Sequence, residues 1–440
     1  MTCSAIAAVL KAPPDSLNRP HPRQVGGRIG RDQRASANKF GNAVDEGQQS
    51  SEAGWAMNLK GMSSVLVGGL VAAVLVALTP VASTASAAGW AATAGTDAMD
   101  KAAATYLATK DMSSALYVAV YNPKTGLQMK AYGEASPGVP ATVKDHFEIG
   151  SITKTAFATA VLQQVQKGVI GLDDTVRKAA PGVAKRFPKA ANYTVRQLLS
   201  MDTRIGDYAD ASVMGMFADP ARLYTRNDLL TMGFAAKPMP KAGGYSTTNY
   251  IILGDVMREV TGKSPTALVN RVLAQAGMKD SLLTVMGTKP APATHGYLGS
   301  EYGPQATTMN PALNAGTDVT AWPMTWGREG GGAYATLPDL YRWAKSCAGS
   351  KYLSPAIVKE RQKTHKIDVG NYGLGIINQD GYWGHTGQGI GYEALVTCNP
   401  KTGDVVALAV NDTSSLLGAI GALGPTVFPD YLAAYVKAMS

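Results

Sequence analysis

The sequence predicts an α+β protein: an antiparallel β-sheet flanked by helices from both chain ends, plus an inserted, mainly helical lobe at about residues 151–320. Strand-like segments occur between residues 115 and 132 and again after residue 372, whereas helical spacing dominates residues 151–277. Strands at both ends with helices between them are typical of α+β architecture, not of alternating βαβ units. A cleft is therefore expected where the sheet meets the helical lobe, close to Ser151.

The predicted elements follow in chain order as a helix, a hairpin, a helical stretch, a loop region and a second set of strands. Thr194 is placed to cap a short helix, and Gly277 to end a longer one. Residues 285–330 are rich in Gly, Pro, Thr and Asn, which predicts loops, with a flap over the cleft as one interpretation. The predicted helices are 96–110, 225–232, 249–261, 266–276, 338–347 and 429–439, and the strands are 115–121, 127–132, 372–377, 381–384, 392–397 and 405–410.

The composition limits the classes of function. The chain has 440 residues, 45% of them hydrophobic, which is enough for a large core. Its net charge of +9 comes from dispersed basic residues without interleaved aromatics, so no nucleic-acid partner is expected. The five histidines are scattered and form no H-E-x-x-H pattern, so we expect neither a metal nor a cofactor.

The first 87 residues predict a leader rather than part of the fold. Residues 1–56 are polar and predicted to be disordered, and translation starting at Met57 would make them an over-extended reading frame. Residues 57–87 combine a positive start, an apolar run and an A-x-A site, which predicts a cleaved signal peptide. The alternative is a membrane anchor, but the apolar run over 65–78 is shorter than the roughly 20 residues that a span requires. We therefore expect a secreted or cell-envelope domain over 88–440 without a stable membrane anchor.

The stretch that begins Gly150-Ser151-Ile152-Thr153-Lys154 carries the first candidate site. On a helix, Ser151 and Lys154 share one face, and apolar residues cover most of the remaining circumference. A lysine in such a buried helix loses solvation, which lowers its pKa toward that of a usable base for a nucleophilic serine. The S-x-x-K pattern alone is equally compatible with a serine cap beside a solvated lysine.

Two further motifs follow in a fixed order: Tyr245-Ser246-Thr247, and His385-Thr386-Gly387-Gln388. With S-x-x-K they form the series S-x-x-K, Y-x-N and K-T-G or H-T-G. The chain thereby resembles the β-lactamase-related serine hydrolases, nearest the class C β-lactamases, D-alanyl-D-alanine carboxypeptidases and similar esterases. The resemblance extends from about residue 97 to the end, and includes residues 194–199 followed by Asp207-Tyr208, as well as residues 330–334.

The resemblance implies a β-lactamase/transpeptidase-like fold and a role for each motif. Ser151 would form an acyl-enzyme, Lys154 would accept its proton, and Tyr245 would pass a proton to the leaving group. A lysine ammonium near Tyr245 is expected to lower the pKa of that phenol. By the same resemblance, the backbone N–H groups of Ser151 and Gln388 would form the oxyanion hole, and the strand with His385, Thr386 and Gly387 would bind substrate. Gly387 is expected to let the substrate backbone approach closely.

Two departures from the family pattern affect substrate recognition. Thr247 stands where the pattern has asparagine, so the amide that can both donate and accept is missing. His385 stands in place of lysine, and a histidine that is neutral or partly charged binds a substrate carboxylate less firmly. Thr247 favours esterase activity over efficient recognition of peptide or β-lactam amides, whereas the H-T-G motif resembles the carboxypeptidase-like and esterase-like branches more than the β-lactamases.

Of the three cysteines, Cys3 lies in the segment that we expect to be absent from the mature protein. Cys347 and Cys398 remain, and in an exported protein they predict one disulfide. Two buried free thiols are the alternative.

These observations lead to one functional hypothesis and two alternatives. We expect an exported serine hydrolase that acts through a serine acyl-enzyme on a D-Ala-D-Ala-type peptide or a related amide or ester. Its partner would be a small peptide or ester, with a peptidoglycan stem peptide or a β-lactam among the candidates. The alternatives are a secreted esterase without a cell-wall role, and a non-catalytic protein that binds cell-wall peptides.

Overall fold

The computed structural model describes residues 98–110, 113–240, 243–284, 289–413 and 415–439. The segments predicted as disordered (1–56) and as a signal peptide (57–87) lie outside these ranges and stay predictions. The helices α1–α15 are Ala98–Leu107, Ile152–Gln166, Val176–Ala179, Pro181–Arg186, Val195–Leu199, Ala209–Ala218, Arg226–Ala235, Thr248–Thr261, Pro265–Gln275, Gly303–Met309, Arg328–Gly331, Leu337–Lys345, Pro355–Arg361, Leu416–Val427 and Pro429–Met439. The strands β1–β12 are Ala115–Asn122, Gly126–Ser136, Val139–Pro140, Phe147–Glu148, Leu282–Leu283, Ala333–Ala335, His365–Ile367, Gly370–Tyr372, Ile377–Gln379, Tyr382–Gly389, Tyr392–Cys398 and Val405–Val410.

A nine-stranded sheet joins the two ends of the described domain, in the order β3-β2-β1-β12-β11-β10-β9-β8-β7. Its strand pairs are antiparallel, and at the centre Val118 of β1 lies opposite Leu408 of β12 on one side and Lys130 of β2 on the other. All six residues of β12 are buried, because helices cover both faces of the sheet. This confirms the predicted α+β class with a sheet built from both chain ends.

Helices pack on the two faces of this sheet in two apolar clusters. The larger cluster contains α2 and the helical lobe, with Phe157 and Tyr250 fully buried in it. The smaller cluster, on the other face, packs α1, α14 and α15 against β1 and β12 through Tyr106, Ile420 and Tyr431. Helix α14 was not predicted from the sequence; its glycine-rich run, which contains Pro425, has poor helix propensity, and burial against α1 compensates.

A small three-stranded sheet, in the order β4-β6-β5, leads the chain into α2. Phe147 of β4 pairs with Ala335 of β6, and Leu282 of β5 pairs with Tyr334. These strands have two or three residues, which is too short for alternation of apolar and polar residues to be recognised in sequence. Contacts between distant segments therefore define the entrance to the serine helix.

The structure changes several predicted boundaries near the cleft. The strand predicted over 372–377 is divided, because the chain turns at Gly375 (φ +68°), where a Cβ would lie 2.4 Å from the Ala158 Cβ. The strand predicted over 381–384 continues to Gly389, which brings the whole H-T-G-Q motif into β10. The loop region 285–330 contains α10 and the start of α11 within its described part.

Cys347 and Cys398 are joined by a disulfide, with their Cα atoms 5.3 Å apart. It connects the turn after α12 to the end of β11, across 51 residues of sequence. In the chain-entropy account, a loop of this length contributes about 4 kcal/mol to the free energy of unfolding. Among the described residues, no helix has the length and apolarity needed to cross a membrane.

Candidate active site

Ser151 lies at the tight turn between β4 and α2. Gly150 enters this turn with a φ of +47°, and a Cβ there would lie 2.5 Å from the Gln388 nitrogen of β10. A side chain at position 150 would therefore push the turn away from β10. Ser151 is the N-cap residue of α2, but its hydroxyl forms no capping hydrogen bond.

The Ser151 hydroxyl instead accepts a hydrogen bond from Lys154. The Lys154 Nζ lies 2.9 Å from the Ser151 Oγ and 2.7 Å from the Gly330 carbonyl oxygen, and it donates to both. Lys154 has no exposed surface, because every residue of α2 from Ile152 to Leu162 is buried. Burial lowers the pKa of Lys154 to about 7, and the charge of Asp207 partly opposes this shift. The interpretation of Lys154 as a solvated lysine is therefore wrong.

Tyr245 lies beside this pair. The Lys154 Nζ is 4.8 Å from the centre of the Tyr245 ring. The Tyr245 hydroxyl is buried near the Ser151 hydroxyl, but it makes no hydrogen bond of standard geometry to a described residue. Its backbone N–H donates to the Asp368 carboxylate at 3.0 Å, which ties the segment before α8 to the β7–β8 turn.

The expectation of a lowered Tyr245 pKa is wrong. Burial raises the pKa of Tyr245 well above its ordinary value, and the charges of Asp207 and Asp368 raise it further, while the Ser151 hydroxyl opposes the shift. The expected effect of an ammonium is missing because Lys154 itself is desolvated and readily neutral. Tyr245 is therefore a neutral phenol that can donate a proton.

His385 is buried in β10 and its ring is hydrogen-bonded at both nitrogens. The Nδ1 atom faces the Thr386 carbonyl oxygen at 2.5 Å, and the Nε2 atom lies 3.1 Å from the Tyr372 hydroxyl. A carbonyl only accepts, so Nδ1 carries the proton and Tyr372 donates to Nε2. Burial, together with the charge of Lys154, lowers the pKa of His385 to about 3. Of the two expected states, neutral or partly charged, His385 is thus neutral at neutral pH.

The segment after His385 packs directly on the serine turn. A Cβ at Gly387 would lie 2.0 Å from the Ile149 carbonyl oxygen and 3.3 Å from the Ser151 nitrogen. The protein's own backbone therefore requires glycine at position 387, while close approach of the substrate backbone there stays a prediction. This contact places the Ser151 and Gln388 N–H groups on facing segments, as an oxyanion hole needs. Thr386 is half-buried in β10, and the exposed Gln388 side chain donates to Glu393 at 3.3 Å.

Thr247 precedes α8 and lacks the amide of the family's asparagine. Its side chain is buried, and its methyl group contacts Gly330, where a Cβ would lie 2.5 Å from the Thr247 Cγ2. Its backbone N–H donates to the Asp207 Oδ1 at 3.0 Å. Thr247 therefore supports the turn that carries the acceptor for Lys154.

Asp207 is a site residue that the sequence analysis recognised only as part of a flanking motif. It is half-buried, and its Oδ1 also accepts from the Ala209 N–H at 3.2 Å. Burial raises the pKa of Asp207 to about 6, while the positive charge of Lys154 opposes the shift. Its position just before Tyr208 in a segment flanking the site was the only available signal, because the contact with Thr247 spans 40 residues.

A buried network of charged residues holds the segment that carries Gly330. Arg226 of α7 donates to Glu329 at 2.7 Å, to Asp255 at 2.8 Å and to the Ile251 carbonyl at 2.6 Å. Glu329 is 2% exposed and directly precedes Gly330. The network therefore fixes the short helix α11, and with it the carbonyl that receives Lys154. Charged residues in separate segments have no recognisable sequence pattern, so this network was not predicted.

Within the described ranges, no three His, Cys, Asp or Glu side chains are grouped as a metal site would require. The arrangement instead provides a hydroxyl, an amine with a pKa near neutrality, a neutral phenol and two backbone donors. Together these groups can carry out nucleophilic acyl transfer.

Comparisons with known proteins identify the family and the fold. A family model described as Beta-lactamase matches residues 99–421. Penicillin-binding protein 4 of Amycolatopsis lactamdurans is 26% identical over 307 residues, which cover 62% of this chain and 74% of that protein. Penicillin-binding protein 4* of Bacillus subtilis (strain 168) is 24% identical over 263 residues, and the match covers 57% of this chain but only 56% of the Bacillus protein.

Solved structures with the same fold include two amidohydrolases. The D-stereospecific amidohydrolase from Streptomyces sp. superposes with a TM-score of 0.62 at 23% identity, covering 75% of this chain and 99% of that one. The D-amino acid amidase from Ochrobactrum anthropi SV3, complexed with D-phenylalanine, superposes with a TM-score of 0.63 at 21% identity, covering 75% and 98%. At these identities the similarity establishes the fold.

Proposed function

This chain belongs to the Beta-lactamase family, and we propose that it is an exported serine hydrolase that cleaves short amides or esters through an acyl-enzyme on Ser151. One observation carries the proposal. The Lys154 Nζ, which is fully buried and has a pKa of about 7, lies 2.9 Å from the Ser151 Oγ. An amine in this state can take the serine proton at neutral pH, whereas a solvated lysine could not.

Acylation begins when the Ser151 Oγ attacks the substrate carbonyl and its proton passes to neutral Lys154. Negative charge then develops on the carbonyl oxygen, where the N–H groups of Ser151 and Gln388 stabilise it. The Gly330 carbonyl accepts from the Lys154 Nζ and holds the amine in line with the hydroxyl. This preorganisation lowers the cost of forming the charged intermediate.

Collapse of the intermediate releases the amine or alcohol and requires a proton on the leaving group. The neutral Tyr245 phenol donates that proton and recovers one from the Lys154 ammonium, so the proton removed from Ser151 leaves with the product. A water then attacks the acyl-enzyme, and the same groups move its proton back to the Ser151 Oγ. The raised pKa of Tyr245 suits a donor and disfavours a resting phenolate.

The substrate class follows from the charge of His385. Because His385 is neutral and buried, it offers no cation for a carboxylate next to the scissile bond. This favours amides and esters without such a carboxylate over D-Ala-D-Ala-type peptides and β-lactams. The two amidohydrolases with this fold support an amide substrate by name. Hydrolysis of a D-Ala-D-Ala-type peptide is the second candidate, favoured by the penicillin-binding relatives.

Covalent labelling tests the nucleophile and distinguishes the enzyme from a non-catalytic binding protein. The purified 88–440 domain is treated with a fluorophosphonate, and the label is located by mass spectrometry, with Ser151→Ala as the control. We expect one label on Ser151 and none on the variant. An unlabelled wild-type protein that also hydrolyses no substrate would rule out the hydrolase.

A substrate panel then identifies the class. It contains a nitrophenyl ester, a D-amino acid anilide, a D-Ala-D-Ala peptide and a cephalosporin. We expect the ester and the anilide to be hydrolysed fastest. Turnover of the peptide alone would instead support the carboxypeptidase, and turnover of the esters alone the secreted esterase.

Export is a separate part of the proposal. It is supported by the signal-peptide pattern over 57–87 and by the disulfide between Cys347 and Cys398, a bond typical of oxidising compartments. N-terminal sequencing of the protein from the culture medium of its host should give a start near residue 88. Recovery of the uncleaved chain from the cytoplasm alone would contradict export.

A further inference from the structure

We propose that Asp207 binds a protonated amino group of the substrate, so that the site selects amides with a free ammonium group near the scissile carbonyl. This inference rests on the proposed acyl transfer at Ser151 and adds the feature that the substrate must carry. It assigns Asp207 a role in specificity that is separate from the chemistry of Lys154 and Tyr245.

The Asp207 carboxylate has a fixed orientation, but only one of its two oxygens accepts hydrogen bonds. Its Oδ1 accepts from the backbone N–H groups of Thr247 (3.0 Å) and Ala209 (3.2 Å), which determine the orientation of the side chain. The other oxygen, Oδ2, makes no hydrogen bond to any residue in the described part of the chain. Asp207 is half-buried as a residue, and its unpaired Oδ2 is not fully buried, so a ligand can reach this oxygen.

The charges of Lys154 and Asp207 act on each other, but the two side chains form no ion pair. The Lys154 Nζ donates to the Ser151 Oγ and the Gly330 carbonyl, and across the described ranges it has no ion pair with a carboxylate within 4.0 Å. Geometry connects Asp207 to the site through Thr247, whose N–H donates to Asp207 and whose methyl group contacts Gly330, the residue that accepts from Lys154. A substrate ammonium at Asp207 would then lie close to a carbonyl held at Ser151.

The other charged groups around the cleft favour a cation. Asp368 acts on Tyr245 with the same sign as Asp207, and Asp210 adds a third carboxylate next to Asp207. His385 contributes no positive charge, since it is neutral. Lys154 is the cation whose charge acts on Asp207, and it is readily neutral near pH 7. A substrate carboxylate would be repelled here and an ammonium attracted.

The threonine at position 247 explains why Asp207, rather than residue 247, would recognise the amino group of the substrate. An asparagine at this position could bind a neutral acylamino group through its amide. The Thr247 methyl group instead packs against Gly330, and its backbone N–H orients Asp207. In place of a neutral amide, the carboxylate of Asp207 is then the group that recognises the substrate, and a carboxylate binds a charged amine most strongly.

Two substrates that differ in one charge test the inference. D-Alanine p-nitroanilide carries an ammonium group, and N-acetyl-D-alanine p-nitroanilide is neutral. For Asp207→Asn, kcat/KM should fall about 10- to 100-fold on the first substrate and change less than about threefold on the second. The asparagine retains an Oδ1 to accept the two backbone hydrogen bonds, so the fold should persist. Asp210→Asn is the graded comparison: its carboxylate adds negative charge near Asp207 but forms no hydrogen bond to a described residue, so the ratio of the two rates should change several-fold less than with Asp207→Asn.

Each other outcome overturns the inference. An equal loss on both substrates means that Asp207 acts through Lys154, and the rate of fluorophosphonate labelling of Asp207→Asn should then fall as well. A wild-type preference for the acetylated substrate also overturns it. If the wild type neither hydrolyses these substrates nor accepts the label, the proposed function itself has failed.

A measurement on the wild type does not depend on folding of the variant. Between about pH 6.5 and 9 the substrate ammonium loses its proton, since α-amino groups have a pKa near 8. The ratio of kcat/KM for the free and the acetylated anilide should fall about tenfold over this range. A constant ratio would contradict recognition of the charged amine.

Discussion

Lys154 and Arg226 are both buried cations, and both hold the same turn of chain, yet their surroundings differ. Burial lowers the pKa of Arg226, but the carboxylates of Glu329 and Asp255 outweigh it and the pKa is raised. Lys154 has only the more distant Asp207, and burial lowers its pKa to about 7. A buried cation with close carboxylates stays charged and positions its neighbours, whereas one without them can exchange its proton.

The largest effect should follow from removing the unpaired cation. Lys154→Met should lower the rate of Ser151 acylation about 10²- to 10⁴-fold, the range for loss of a general base. The free energy of unfolding should hardly fall, because methionine fills a similar volume without a buried amine. Stopped-flow labelling and urea denaturation measure the two quantities. A variant that acylates at the wild-type rate would remove Lys154 from the mechanism.

The paired cation should show the opposite pattern. Arg226→Met leaves Glu329 and Asp255 buried without their partner and should lower the free energy of unfolding by about 3–5 kcal/mol. The matched control is Arg196→Met, which removes the more exposed pairs with Asp173 and Glu360 and should cost about 1 kcal/mol or less. Equal losses in urea denaturation for the two variants would show that burial does not distinguish these networks.

Tyr245→Phe tests the next largest effect. Removal of the phenolic proton should lower kcat on an anilide about 100-fold, because a poor leaving group needs protonation. A nitrophenyl ester, whose leaving group departs without a proton, serves as the internal control and should lose much less during acylation. A uniform loss on both substrates would indicate that Tyr245 acts by packing alone.

The pH dependence gives the smallest effect and the clearest sign. Below about pH 7 Lys154 takes up a proton and cannot accept another, so kcat/KM on a neutral ester should fall toward tenfold per pH unit. Above that pH the rate should level off, because the amine is already neutral. His385, with its pKa lowered to about 3, should add no step near neutrality. A profile that keeps rising to pH 10 would mean that Lys154 has the pKa of a solvated lysine.

The sequence predicted the fold class and the helix around Ser151 because both rest on local patterns. The β1–β2 hairpin, the cap at Thr194 and the end of α9 before Gly277 agree with the structure, since turn and cap residues act over a few positions. Elements without such patterns were missed: the two-residue strands β4 and β5, and the glycine-rich α14. Their stability comes from the partners that they pair with or pack against.

The amino-acid sequence alone specifies the order of the three motifs and places a serine and a desolvated lysine on one helix face. The charge states depend on the tertiary structure, which buries His385 and Tyr245 as neutral groups. The tertiary structure also brings the Gly330 carbonyl to Lys154 and the charge of Asp207 close enough to act on it. The solvation and electrostatic environment of a group depend on which distant segments surround it, and the spacing of residues along the chain does not predict those segments.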